Sequence, residues 1–283
     1  MQSSEALLGV GQLIRQTTGV LSSRWRLFLG IIVIYGVLNI FFAQALTNGS
    51  DVTHLKNSLE QLFTGNWGAL AASAGVFALM LTSPSAAGQG SGGYQLLITL
   101  MISLAVIWAL RQSFLGNNVR VREAFYRGMY PLVPFMLILI VLSLELLPFI
   151  IGSTIYSIVV SNGMAVHLIE KISWLALFIL LASVTLYLIS SSIFALYIVT
   201  AHDMTPVKAL RIAANLVRGR RWQVIRKILA LPLILFLTVA VIMLPAILWV
   251  TSLAQVLFFM ITLTSLVIIH TYLYVLYRGL LHE

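Results

Sequence analysis

Glu145 is the residue in this chain most suited to chemistry. It stands deep in a long apolar run, LVPFMLILIVLSLELLPFII from Leu132 to Ile151. An ionisable group inside hydrocarbon is costly, so it is a functional suspect by default. At 1.5 Å per helical residue it lies about 25 Å beyond Gly128, in the outer half of a span. Gln44 falls at a similar depth in the first apolar run, and Asn39 nearer the middle. Three readings stand: a Glu145–Gln44 hydrogen bond clasping two spans, a proton- or cation-coupled site, or a carboxylate that reaches the outer surface near Pro148. His270 falls near the inner end of the last span beside Tyr272 and Tyr274, where an aromatic belt at the membrane–water boundary accounts for it. The difference in depth keeps Glu145 and His270 from acting as one acid–base pair. Ser190, Ser191 and Ser192 have the small size and hydroxyl groups that serve helix packing.

Other chemistry is thinly represented. Asp51 and His54 are two metal-ligand types in one polar loop, fewer than a metal site needs. No nucleotide-binding loop, His-Glu-x-x-His motif or nucleophile elbow occurs. There is no cysteine, which removes thiolate catalysis, disulfides and cysteine-ligated metals. The expectation is a non-enzymatic protein without metal or cofactor.

The second group of candidates is basic. TPVKALRIAANLVRGRRWQVIRKILALP, Thr205 to Pro232, reads as an amphipathic helix, a basic turn and the start of a span. Thr205 suits an N-cap and Pro206 the first helical position. Val207, Leu210, Ala214 and Val217 are expected on the packed face. Lys208, Arg211, Asn215 and Arg218 are expected on the opposite one. Gly219 is placed for a left-handed helix end, and Arg220, Arg221 and Trp222 for a membrane–water boundary. Arg120 and Arg127 occupy comparable places in a shorter stretch, Asn117 to Gly128. These basic residues are the candidate contacts for anionic lipid head groups or for a partner subunit.

The elements that must position these groups follow from composition. The chain has 283 residues, 60% of them hydrophobic and 9% charged, with a mean hydropathy of +1.01. A soluble domain has to cover its surface with polar groups, so this chain needs lipid as solvent. Its apolar stretches are long and continuous and lack two-residue alternation, which predicts an all-α, polytopic membrane bundle rather than a barrel. The net charge of +9 points to cytoplasmic loops rather than to nucleic acid. Glu5, acidic where a cleavable signal would be basic, reads against a signal peptide.

Six spans are expected, at roughly 27–46, 94–110, 130–151, 172–197, 228–250 and 253–274, within a single membrane domain. A first amphipathic stretch, 3–21, precedes them. Between the first two spans lies an outer-side insertion, 47–93, containing Gly68 to Thr82 and the linker-like SPSAAGQGSGG. Charge decides whether Gly68 to Thr82 is a span. With six spans and both termini in the cytoplasm, 15 basic residues fall inside and two, Lys56 and Lys171, outside, accounting for all 17. A seventh span would move Arg15, Arg24 and Arg26 across and spoil that asymmetry. Gly68 to Thr82 is therefore read as re-entrant or interfacial.

One pattern recurs three times: amphipathic stretch, basic or aromatic turn, two spans. It divides the chain at 1–114, 115–200 and 201–283. Either the chain is a triplication, or any interfacial helix leading into a span looks like this. The Ala-x-x-Arg-Gly-type modules at Ala124 to Tyr130 and Ala214 to Trp222, with the six-span layout, resemble the membrane domain that accompanies bacterial glycerophosphoryl diester phosphodiesterases and related uncharacterised bacterial families. That resemblance implies a non-catalytic component of the bacterial inner membrane, since no soluble phosphodiesterase domain is present. Gly219 to Pro232 is also similar to the latter half of the cytoplasmic loop by which ABC importer permeases engage their ATPase. Where that family has Glu-Ala-Ala, this chain has Ala213, Ala214 and Asn215.

The function expected is envelope or lipid organisation, or transport, by a plasma-membrane protein whose partners are the bilayer, its anionic lipids and other membrane subunits, not nucleic acid. The alternative is a transporter or permease-like subunit. The topology makes a direct prediction: single cysteines placed at positions 2, 119 and 282 should resist an impermeant thiol reagent applied outside intact cells. Labelling at any of them would overturn the six-span arrangement.

Overall fold

In lipid, a backbone amide left without a partner costs several kcal/mol, so a chain this apolar must close its hydrogen bonds within each segment. A computed structural model describes residues 9–43, 92–117, 119–161, 167–201, 204–249 and 251–281. Among them all regular structure is helical. The helices are α1 Val10–Ser23, α2 Trp25–Ala43, α3 Gly92–Phe114, α4 Val121–Gly128, α5 Leu132–Glu145, α6 Leu147–Tyr156 with a π-helical turn Ser157–Ser161, α7 Leu168–Ser192, α8 Ala195–Ile198, α9 Pro206–Val217, α10 Arg221–Trp249 and α11 Thr251–Leu281.

Six stretches are long and apolar enough to cross a membrane: Trp25–Phe42, Tyr94–Phe114, Leu132–Val160, Leu168–Ile198, Arg221–Ala246 and Val256–Leu281. The protein is thus a multi-pass membrane protein of the expected all-α class. The third stretch continues nine residues beyond the expected end at Ile151, so Glu145 falls at its middle rather than in its outer half. Gly68 to Thr82, Asp51, His54 and Gln44 lie outside the described residues.

Three times an amphipathic helix is followed by a short break and then by one of these long helices. Arg24 alone separates α1 from α2; residues 129–131 separate α4 from α5; residues 218–220 separate α9 from α10. The two Arg-Gly pairs in this pattern differ in their geometry. Gly219 adopts φ +87°, the left-handed turn expected of it, and a Cβ there would meet open space. Gly128 is the last residue of α4 and is followed by Met129 in ordinary right-handed geometry. A Cβ on Gly128 would lie 3.1 Å from the Leu104 carbonyl oxygen and 3.2 Å from the Ala105 Cα. Gly128 thus ends α4 and also allows it to approach the α3 backbone.

The chain divides into two compact units. One unit comprises Val10–Tyr130 and Ala230–Val275. Its centre is α3, buried without interruption from Ile102 to Ile107. Phe42 meets Tyr94, and Tyr35 meets Thr99, so α2 and α3 run antiparallel. Phe114 stacks on Tyr274 of α11 with ring centroids 5.4 Å apart. A Cβ on Gly36 of α2 would come within 3.1 Å of Leu263 on α11. Val239, Met243, Ala254 and Phe258 form a further buried cluster at the α10–α11 end.

The other unit comprises Pro131–Leu229 with short terminal pieces, including Leu276–Glu283. α6 and α7 pack closely along Phe149, Gly152 and Phe178. The buried run Phe194–Val199, with Phe194 and Tyr197 stacked against Tyr277, supplies the rest of its core. Only 6% of the apolar window within Leu168–Ile198 is buried. In water such a surface would aggregate, whereas in lipid it is an ordinary face.

The two glycines separate backbone strain from crowding. Gly219→Ala places a Cβ in the left-handed region and should cost about 1–2 kcal/mol, with Gly219→Asn losing less. Gly128→Asn should instead fail by overpacking, costing about 1–3 kcal/mol or more. Thermal midpoints of purified variants check this ordering: Gly219→Asn near the parent, Gly128→Asn well below it.

Candidate functional site

Glu145 owes its position to a helix break. Pro148, one residue after Leu147 opens α6, has no N–H to offer the carbonyl of residue 144, and α5 ends at Glu145 itself. At this break the carboxylate is half-buried. Its Oε1 accepts a hydrogen bond from the Ser192 hydroxyl at 2.5 Å. Its Oε2 is buried with no hydrogen-bond partner among the described residues. Ser192 comes from the serine trio expected to serve packing. Ser190 and Ser191 bond back to the Tyr187 and Leu188 carbonyls of their own helix. Ser192 is the member that reaches across from α7 to α5.

His270 is buried, at 8% exposure, as are Tyr272 and Tyr274 at 2% and 8%. This corrects the expected aromatic belt, whose rings would face the membrane–water boundary. Here residues 270–276 form a continuous buried turn of α11, and Tyr274 faces Phe114 rather than lipid.

The basic residues are placed by their helices. Thr205 has the extended backbone of an N-cap, φ −81° and ψ 149°, but its hydroxyl makes no cap bond. Its carbonyl instead accepts from Ala209 N–H at 3.0 Å. The packed stripe of α9 is Ala209, Ala213 and Val217. Val217 is buried as expected, Leu210 and Ala214 are half-buried, and the expected stripe is corrected at Val207, which is 69% exposed. Small side chains at i, i+4 and i+8 let helix backbones come close, which lowers the demand for large apolar residues on the buried side. The polar face is as expected, with Lys208, Arg211, Asn215 and Arg218 all exposed.

After Arg218 and Gly219, α10 begins with Arg220 accepting the first amide bonds, from Gln223 and Val224. Trp222 is 70% exposed. Arg221 differs from its neighbours because its guanidinium lies 4.2 Å from the ring centre of Tyr187 on α7. Sequence reasoning missed this partner; a lone tyrosine within an apolar run was the available signal. Lys227, counted among the loop charges from sequence, is buried at 7% exposure.

On α4, Arg120 precedes the helix in extended geometry and its N–H meets Glu123 Oε2 at 3.5 Å. Ala124 and Gly128 are buried, while Arg120, Arg122 and Arg127 are exposed. Within their own units, α4 and α9 thus present the same design, with small residues inward and guanidinium groups outward. Comparison of this chain with protein families, with characterised proteins and with solved structures finds no match.

The Glu145–Ser192 bond should be measurable as a coupling. A double-mutant cycle with Glu145→Gln, Glu145→Ala and Ser192→Ala is expected to give about 0.6–1.7 kcal/mol between the two sites, the range of interhelical hydrogen bonds in membranes. Gln at position 145 keeps an oxygen for the hydroxyl and should retain most of it. A coupling of zero would mean that the contact holds nothing together.

Proposed function

We propose that this is a non-enzymatic bacterial plasma-membrane protein that organises anionic lipid at the cytoplasmic face through its basic amphipathic helices. The observation that carries the reading is the outward face of α9: Lys208, Arg211 and Arg218 stand exposed on a helix anchored by Ala209, Ala213 and Val217. Anionic head groups attract each such side chain by about 1 kcal/mol near the surface. A guanidinium can also grip two phosphate oxygens at once. The resemblance of Ala124 to Tyr130 and Ala214 to Trp222 to the membrane domain accompanying glycerophosphoryl diester phosphodiesterases agrees with such a role. Both termini then lie in the cytoplasm with the basic rim.

A transport reading draws on one observation, the mid-span Glu145 with one carboxylate oxygen unpartnered among the described residues. Of the two large cavities described, of about 700 and 610 Å³, neither is lined by Glu145. Lipid organisation is therefore the reading adopted, with a transporter or permease-like subunit as the second.

Replacing Arg211 and Arg218 together by lysine keeps charge and orientation but removes two-pronged phosphate contacts. Arg221 is left alone because it serves Tyr187. The double variant is expected to insert normally and to retain several-fold less phosphatidylglycerol or cardiolipin through purification in mild detergent. Equal retention by variant and parent would refute recognition by these arginines.

A further inference from the structure

The larger cavity is an apolar groove of about 700 Å³ within the unit that contains α1, α2, α10 and α11. Each helix contributes one face. α1 gives Thr17, Thr18 and Ser22; α2 gives Trp25, Leu29 and Val33; α11 gives residues four apart from Met260 to Tyr272. We propose that this groove seats one acyl chain of an anionic phospholipid, whose head group is held beside α1 and the start of α2.

Length sets the first argument. From Met260 to Tyr272 is twelve residues of helix, about 18 Å. One leaflet's half of the hydrocarbon core is about 15 Å. The groove therefore matches the depth of a single leaflet and not of the whole bilayer.

Polarity sets the second. The packing of Gly36 beside Leu263 and Phe259 shows that α2 and α11 run side by side, and the lining residues Trp25 and Tyr272 sit at the end of the groove where α2 begins. Val33 and Met260 line the apolar end. At the other end lie the α1 hydroxyls. Thr17, Thr18 and Ser22 donate their protons to the Leu13, Ile14 and Gly19 carbonyls of their own helix. Their methyl and methylene groups can then line the groove without an unsatisfied donor, while each hydroxyl oxygen remains an acceptor.

Charge sets the third, and it selects the head group. Residues 9–43 carry Arg15, Arg24 and Arg26 and no acidic residue. The Arg24 guanidinium is engaged by the Asn117 carbonyl. Arg15 and Arg26 are exposed, and the Arg26 guanidinium lies 5.5 Å from the centre of the Trp25 ring, which itself lines the groove. An exposed tryptophan lining a leaflet-deep apolar groove, with Arg26 over its ring and Arg15 on the helix that gives Ile14, Thr17 and Thr18 to the lining, has the chemistry of a phosphate-bearing lipid. Phosphatidylcholine offers the same phosphate but carries a choline cation that repels the arginines, so a net-anionic head group is the better match.

The inference extends the lipid reading above to a second place but does not use the α9 arginines, which allows the two to fail separately. The full-length protein, delipidated in detergent, is titrated with palmitoyl-oleoyl phosphatidylglycerol or with phosphatidylcholine of the same chains, and bound lipid is counted by native mass spectrometry. The parent should bind one phosphatidylglycerol more tightly than all others. Leu29→Trp or Met260→Trp, filling the groove from either wall at half-exposed positions, should lose that lipid. Arg15→Gln with Arg26→Gln should weaken it by about fivefold per arginine. Arg211→Gln with Arg218→Gln, on a helix that contributes nothing to the groove lining, should leave it in place. A phosphatidylglycerol carrying a diazirine in its acyl chain should label α2 and α11 of the unaltered protein, a result that needs no variant to fold. The proposal is overturned if the groove-filled variants keep the lipid, if phosphatidylcholine binds equally well, or if the photolabel falls elsewhere. Loss confined to the α9 variant would overturn the groove and leave the lipid reading intact. Retention by every groove variant would overturn the groove, and the α9 reading is tested separately by the lysine variant above.

Discussion

Everything in this structure depends on where a polar backbone and a few polar side chains can find partners when the solvent is hydrocarbon. Helices solve the backbone problem within each segment, and the long α7 shows how little else is then needed. A helix can leave much of its apolar surface to lipid and still be satisfied. Side-chain hydroxyls follow the same rule. Thr17, Thr185, Thr262 and Thr271 all donate to the carbonyl four residues earlier on their own helices. What remains for tertiary structure is close packing of small residues and a small number of polar contacts between helices.

That economy explains why so few residues define the interior. Gly128 meeting the α3 backbone, Gly36 meeting Leu263 and Gly152 meeting Leu181 are all places where the absence of a side chain sets the distance between helices. Ala209 and Ala213 do the same on α9. Against this background the Ser192–Glu145 bond and the Arg221–Tyr187 contact stand out, because each joins two helices through groups that lipid could not satisfy. The amphipathic helices join the two environments. Each is followed, after one to three residues, by an apolar stretch that can cross the bilayer, so each break falls where the sequence is rich in arginine and aromatic residues.

Much of this was legible in the sequence, and the limits have a physical cause. Hydropathy located all six spans, and the Gly219 turn followed from one glycine after an amphipathic run. Hydropathy does not separate a lipid-facing leucine from a core leucine, since both environments are apolar. For that reason the packed stripe of α9, the buried state of His270 and Tyr272, and the continuation of the third span to Val160 had to come from the structure. Glu145 was recognisable from its isolation. Its partner was not, because Ser192 lies 47 residues away among serines that bond locally. The groove draws on residues as distant as Ile14 and Tyr272, a separation no local pattern can signal.

The division into units also bears on biosynthesis. The unit centred on α3 needs both Val10–Tyr130 and Ala230–Val275, while nearly all of the other lies between them in Pro131–Leu229. At a translation rate of about 5–20 residues per second, those 99 intervening residues take about 5–20 s to emerge. Throughout that interval α2 and α3 are in the membrane without the α11 residues that pack on Gly36 and Phe114. The last hairpin made is thus the one that closes the first unit begun. A nascent chain stopped before α10 would hold its earliest helices in lipid with their most buried surfaces still waiting, a state for the quality-control proteases of the membrane to recognise.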